Sequence, residues 1–210
     1  MKIKNIWGLA ITTFIELFVM KKFLPLIILL TLSLLFYWIS ARSYALQSSS
    51  LENMELFRLL HGISKLVALL VPLVLFVLYM LTSGLMFTLL DEKLDSQKTA
   101  MAISLSFLPV ILNCLIYLIV LYGMDSGGTR QELHYQKSFI GLSLADMEQV
   151  SVIFWVGFYG FFAVLIRHYY GISLGKAVGI TFTPTWVVMG GGLLCFNLQY
   201  ISFCRVIYLC

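Results

Sequence analysis

The residues from which chemistry could be built are few: ten acids, fourteen lysines and arginines, three histidines and four cysteines in 210 positions. Asp91, Glu92 and Asp95 stand closest together, with Asp91 and Asp95 one helical turn apart. They would offer oxygen ligands to a divalent cation, but such an ion takes roughly six of them. Lys93 and Lys98 interleave with the acids, a pattern that reads as a solvated helix end. His61, His134 and His168 fall between the apolar runs or at their borders, so no Ser–His pair is expected at membrane depth. His134 has Glu132 nearby and no nucleophile constellation around it. Cys114, Cys195, Cys204 and Cys210 contain no Cys-x-x-Cys. The first two lie inside apolar runs and read as small buried hydrophobes. Pairing of the last two is not legible from spacing. There is no phosphate-cradling GxxxxGK[ST] loop. Acid–base catalysis needs a positioned group with a pKa near the working pH. The expectation is a protein with no catalytic residue, no cofactor and no metal.

The elements that would have to position any such group are apolar. Hydrophobic residues make up 60% of the chain and charged residues 11%, against about 25% charged in soluble domains. Charge-free runs stand at 23–41, 66–90, 99–124, 149–166 and 177–204. Each is long enough for a helix to cross the hydrocarbon core, which takes about 20 residues. A β-barrel would need apolar and polar residues to alternate, and Leu24-Pro25-Leu26-Ile27-Ile28-Leu29-Leu30 does not. The fold class expected is therefore an all-α integral membrane protein. Its bundle has five transmembrane helices, at about 23–41, 66–90, 100–122, 150–166 and 177–198, with amphipathic interfacial helices.

Residues 1–22 form a separate cytoplasmic segment in this reading. Met1-Lys2-Ile3-Lys4 resembles the start of a signal peptide, but Glu16 interrupts the apolar run and no small-x-small cleavage site follows it. Residues 5–20 read as an amphipathic helix on the membrane surface. Residues 51–65 read as a second one, linking two spans: Leu51, Met54, Phe57 and Leu60 on one side, Glu52, Glu55, Arg58, His61 and Lys65 on the other. In the polar loop 125–149, Asp125-Ser126-Gly127-Gly128 is turn chemistry. Gln131 to Lys137 should form a short helix or strand, and Asp146 to Glu148 the acidic, capped start of the fourth span.

Lys and Arg counts orient the chain. With the N-terminus inside, eight fall on the cytoplasmic side and six outside, and the Lys21-Lys22 doublet sits directly before the first span. The positive-inside rule then places the N-terminus in the cytoplasm and, after five spans, the C-terminus outside.

Helix-packing residues stand out where chemistry does not. Gly171, Gly175 and Gly179 recur every four residues, a spacing that on a helix makes a smooth stripe for close backbone approach. Pro72, Pro109 and Pro184 fall inside the second, third and fifth spans, where each removes a backbone hydrogen bond and favours a kink. Ser104, Ser106, Thr181, Thr183 and Thr185 are placed to satisfy freed carbonyls. Asn113, mid-span, is the best interhelical hydrogen-bonder.

The stretch Lys98 to Val120, KTAMAISLSFLPVILNCLIYLIV, resembles the central segment of the Yip family of multispanning membrane proteins. The stretch Ile153 to Trp186 is similar to that family's aromatic span followed by a glycine, a Gly-x-Ser-like turn and Lys-Ala, and Phe14 to Pro25 to its entry into the first span. The resemblance implies a non-enzymatic protein with no cofactor. Eukaryotic members meet Rab-type GTPases through a long cytosolic N-terminal region. The 22 residues here depart from that, and favour a bacterial type in the cytoplasmic membrane. Some bacterial relatives accompany ABC-type exporters. The function implied is binding or assembly of other membrane components, with the bilayer and an ABC-type transporter as partners and no nucleic acid. A small permease or export-channel subunit is the alternative.

Overall fold

A computed structural model describes residues 23–47, 55–125 and 130–190. Seven α-helices occur among them and no strand: α1 (Leu24–Gln47), α2 (Glu55–Leu89), α3 (Ser96–Ser106), α4 (Leu108–Tyr122), α5 (Arg130–Tyr135), α6 (Leu144–Tyr170) and α7 (Leu174–Gly190). A helix satisfies its own backbone, the condition any segment must meet in lipid.

Local chemistry sets most boundaries. Pro25 stands in the first turn of α1, where its missing N–H costs nothing. Asp95 caps α3, its carboxylate accepting from the Gln97 and Lys98 amides at 3.0 and 3.1 Å. Ser143 and Asp146 form a reciprocal capping box at the start of α6. Gly171 ends α6 in the left-handed conformation at φ 64°, its amide donating to the Arg167 carbonyl. That conformation suits a residue without a Cβ.

The helices α1, α2, α7, α6 and α4 touch in sequence and close a ring, with α3 inside it against α1, α2 and α6. Burial along α3 agrees: Thr99, Met101, Ala102, Ile103, Ser104 and Ser106 are all buried. The outer surface is apolar. Leu70, Val74, Leu81, Ile153, Val156 and Val164 are all exposed. So much outward hydrocarbon suits a bundle solvated by lipid.

Among the described residues, four segments are long and apolar enough to cross a membrane: Leu24–Leu46, Leu59–Leu89, Ser96–Tyr122 and Leu144–Tyr170. They correspond to the first four expected spans, each running several residues longer. The third is two helices joined at Phe107. The fifth expected span, 177–198, overlaps α7, whose 17 residues end at Gly190, and its remainder lies outside the described residues. So does the N-terminal segment 1–22.

The expected interfacial helix at 51–65 takes another form. From Glu55 onward it is the opening of α2, a single 35-residue helix, and 51–54 lie outside the described residues. Its polarity is also the reverse of a surface helix. His61 and Ser64 are buried, whereas Leu59, Leu60, Ile63 and Leu66 point outward. In lipid an apolar side chain needs no cover and a polar one does.

Candidate functional site

Of the expected packing residues, Pro109 stands at the break between α3 and α4 and Asn113 shortly after it. Pro109 is the second residue of α4. Having no N–H, it leaves the Leu105 carbonyl without its helical donor. The Phe107 amide turns to the Ser104 carbonyl at 3.1 Å. The Ser106 hydroxyl donates to the Ala102 carbonyl at 2.6 Å, and Thr181 and Thr183 bond the Ala177 and Gly179 carbonyls in the same way. These hydroxyls therefore double existing helical bonds instead of reaching the carbonyls that proline frees. The Ser104 hydroxyl is buried without a hydrogen-bond partner among the described residues.

Consecutive residues of α6 hold the break. Gly157 admits the proline: a Cβ there would stand 3.4 Å from Pro109 Cβ. Phe158, next in the chain, packs against Phe107 with ring centroids 4.9 Å apart. Phe158 also contacts Tyr79 at 5.1 Å and Trp155 at 5.5 Å. The Tyr79 hydroxyl donates to the Tyr159 hydroxyl at 2.9 Å, and Tyr159 stacks on Phe182 of α7. One aromatic cluster thus joins α2, the α3–α4 junction, α6 and α7. One turn beyond Pro109, the buried Asn113 donates to Ser151 of α6 at 3.0 Å.

The remaining packing residues are more dispersed. Pro72 is buried within α2, which continues through it. Pro184 lies in α7. The glycine stripe does not run along one helix. Gly171 terminates α6, and α7 begins at Leu174, so the turn between them breaks the four-residue register. Among the described residues a Cβ on Gly175 would meet nothing within 4 Å, and one on Gly179 would meet Met86 Cε at 3.8 Å. Of the three only Gly179 has a described neighbour, and that is the end of a flexible side chain where the stripe implies a backbone.

At the end of the bundle where α2 meets α3, the acidic cluster is occupied structurally. Asp95 is a helix cap. Glu92 accepts from Lys176 of α7 at 2.6 Å. Asp91 turns the chain at φ 55°. Tyr170, the last residue of α6, binds this loop, its hydroxyl 2.7 Å from both the Asp95 carbonyl and the Thr99 hydroxyl. No group of three His, Cys, Asp or Glu with metal-binding geometry occurs among the described residues.

At the opposite end lies a feature the sequence reading missed. His61 is stacked on Tyr44 of α1, ring centroids 3.5 Å apart and planes within 14°. Ser40 and Ser43 of α1 and Ser64 of α2 lie within about one helical turn of this pair in sequence, and their hydroxyls and both His61 ring nitrogens are buried without hydrogen-bond partners among the described residues. The Lys65 ammonium lies 6.0 Å from both the Tyr37 and Tyr44 ring centroids. On α1 itself, Arg42 stands 4.9 Å over the Tyr122 ring and donates to the Leu121 carbonyl. The signal available was the helical spacing of Ser40, Ser43 and Tyr44 with His61, Ser64 and Lys65. Reading 51–65 as a surface helix turned these groups toward water.

An all-helical ring of apolar helices, closed by interhelical hydrogen bonds and an aromatic centre, defines an integral membrane protein. No family model, curated protein or solved structure matches the chain.

Proposed function

We propose that this protein acts by association within a membrane and catalyses no covalent step. In this reading it crosses the bacterial cytoplasmic membrane five times, N-terminus cytoplasmic and C-terminus outside. It binds or assembles other membrane components, an ABC-type exporter among them, as its resemblance to the Yip family implies. The observation that carries the reading is how its polar groups are spent. Asn113 holds Ser151, Tyr170 holds Asp95 and Thr99, and Glu92 holds Lys176. Each of these contacts joins one helix to another element, and the outward surface they stabilise is apolar. Affinity purification in mild detergent tests it. A membrane partner recovered in stoichiometric amount, with an ATPase subunit, is expected. Recovery of the protein alone, from cells in which its deletion has a phenotype, would overturn it.

A second reading, a small permease, is favoured by the seam of Ser40, Ser43, His61 and Ser64. Buried polar atoms without partners are what a hydrated path would supply. Solute flux in proteoliposomes of the purified protein, lost in His61→Phe, would select this reading.

A further inference from the structure

We propose that the turn Ser138–Leu142 is a lipid-inserted wedge, carrying Phe139 and Ile140 into the interfacial layer of the bilayer at the end of the bundle where α4 ends and α6 begins. The turn is fixed. The Ser138 amide and hydroxyl both donate to the Leu142 carbonyl, at 2.9 and 2.8 Å, and the Gly141 amide donates to the Ser138 carbonyl. Gly141 takes the left-handed conformation, φ 79°, that closes it. Ser138 is buried beneath the turn, while Phe139 is 75% and Ile140 42% exposed. A rigid turn thus leaves two large apolar side chains substantially uncovered at the surface of the protein.

Their depth follows from what flanks them. A side chain at Gly123 would collide with the Phe139 ring. Gly123 directly follows Tyr122, the last residue of an apolar span, and Ser143 directly precedes Leu144, the first residue of the next. The Phe139 ring therefore lies beside the end of a membrane-crossing helix, and the next helix begins at Leu144, two residues after the turn, with Asp146 and Glu148 in its opening turns, which sets the turn at the interfacial level. Water is the wrong solvent at that level for an exposed Phe-Ile pair. The lipid-facing surface of α4, with Leu115, Ile119 and Tyr122 exposed along it, runs continuously to the turn. Tyr135, also exposed, adds an aromatic of the kind that settles at headgroup level. Lys137 beside the turn is exposed and suits the phosphate layer. The occupant that fits is the bilayer itself.

The inference rests on the membrane reading of the fold, and the experiment separates the two. In a background lacking the four cysteines, nitroxide labels are placed at Phe139→Cys, Lys137→Cys and Val156→Cys. The protein is reconstituted in phosphatidylcholine–phosphatidylglycerol vesicles, and collision with oxygen is compared with collision with a water-soluble nickel chelate. Val156 is exposed on the outer surface of α6, so its label tests the membrane reading: oxygen should dominate there. At position 139 the oxygen-to-nickel ratio should exceed that at 137 several-fold. Position 137 carries the same apolar label, so a label that drags itself into lipid would show there too. Equal ratios at 139 and 137, or a label at 139 shielded from both reagents, would overturn the wedge. A nickel-dominated signal at Val156 would instead overturn the membrane reading beneath it. In a second arm that keeps Phe139, a label at Ile140→Cys should also be oxygen-dominated and should shift toward nickel when Phe139→Ser is added. An unchanged ratio at 140 would show that Phe139 does not anchor the turn.

Discussion

Asn113 and Ser151 face each other across the buried contact of α4 with α6, the Asn113 amide donating to the Ser151 hydroxyl at 3.0 Å. The serine's own proton is directed to the Met147 carbonyl at 2.7 Å, closer than the 3.3 Å to Asn113 Oδ1. Ser151 is thus an acceptor for one helix and a donor to its own. Interhelical hydrogen bonds in membrane proteins average about 0.6 kcal/mol and reach about 1.7. Ser151→Ala should cost an amount in that range, because it leaves a buried amide unpaired. Asn113→Leu combined with Ser151→Ala should cost less than the two single losses added. Thermal unfolding of all four proteins in detergent measures the coupling, and strict additivity would show that the pair does not interact.

The proline break makes a graded prediction at Gly157. A methyl group there meets Pro109 Cβ at 3.4 Å, the edge of ordinary contact, so Gly157→Ala should fold with little change. Gly157→Leu presses a larger side chain against Pro109, and overpacking of this kind typically costs about 1–3 kcal/mol. Pro109→Ala restores a donor for the Leu105 carbonyl and favours a straight helix through Phe107. It should loosen the Phe107–Phe158 contact and lower the abundance of folded protein, read by fluorescence-detected size-exclusion chromatography.

Gly171, Gly175 and Gly179 should respond differently, each for its own reason. Gly171→Leu is strained by its positive φ, at roughly 1–2 kcal/mol. Gly179→Leu must displace Met86 and should lower the unfolding temperature. Gly175→Leu meets open space and should be the mildest. A uniform loss at all three would restore the continuous stripe that the spacing predicts.

What the sequence discloses, and what it does not, divides along physical lines. Lipid demands long charge-free helices, so the first four spans are legible as runs. The capping chemistry of Ser143 and Asp146 is local, and so is the proline break near Pro109. A mid-span asparagine needs a partner, which singles out Asn113. The partner's identity is another matter. Gly157 lies 48 residues from Pro109, and interhelical register is not written in the period of either helix. Periodicity finds the two faces of residues 51–65 but cannot say which one meets lipid, and the burial of His61 is therefore not legible in it. The glycine spacing is regular in sequence and broken in space, because Gly171 serves as a cap.

The loop acids separate a capping role from a metal role. Asp95→Asn keeps an equally good N-cap, whereas Asp95→Ala should cost about 1 kcal/mol. Glu92→Gln weakens a partly exposed ion pair with Lys176, a contact worth at most about 1 kcal/mol. Unfolding temperatures should therefore rank wild type with Asp95→Asn above Asp95→Ala, and a chelator should change none of them. Destabilisation by chelator that Asp95→Asn reproduces would establish a cation at this loop.

His61 supplies the sharpest division between the two functional readings. It is stacked on Tyr44, and both its nitrogens are buried without hydrogen-bond partners among the described residues. Leaving a buried polar group unsatisfied costs about 1–3 kcal/mol, and replacing it with an apolar group of similar shape is close to neutral or stabilising. Phenylalanine preserves the ring stack and removes both nitrogens. If the α1–α2 seam is only a packing surface, His61→Phe should unfold at the same or a higher temperature, with partner recovery unchanged. If the seam conducts or binds a polar solute, water or the solute supplies the missing hydrogen bonds. The same variant would then fold normally while losing flux in proteoliposomes. The association reading predicts the first result, and a stable, correctly inserted His61→Phe protein that no longer supports its cellular phenotype would move the assignment to the permease.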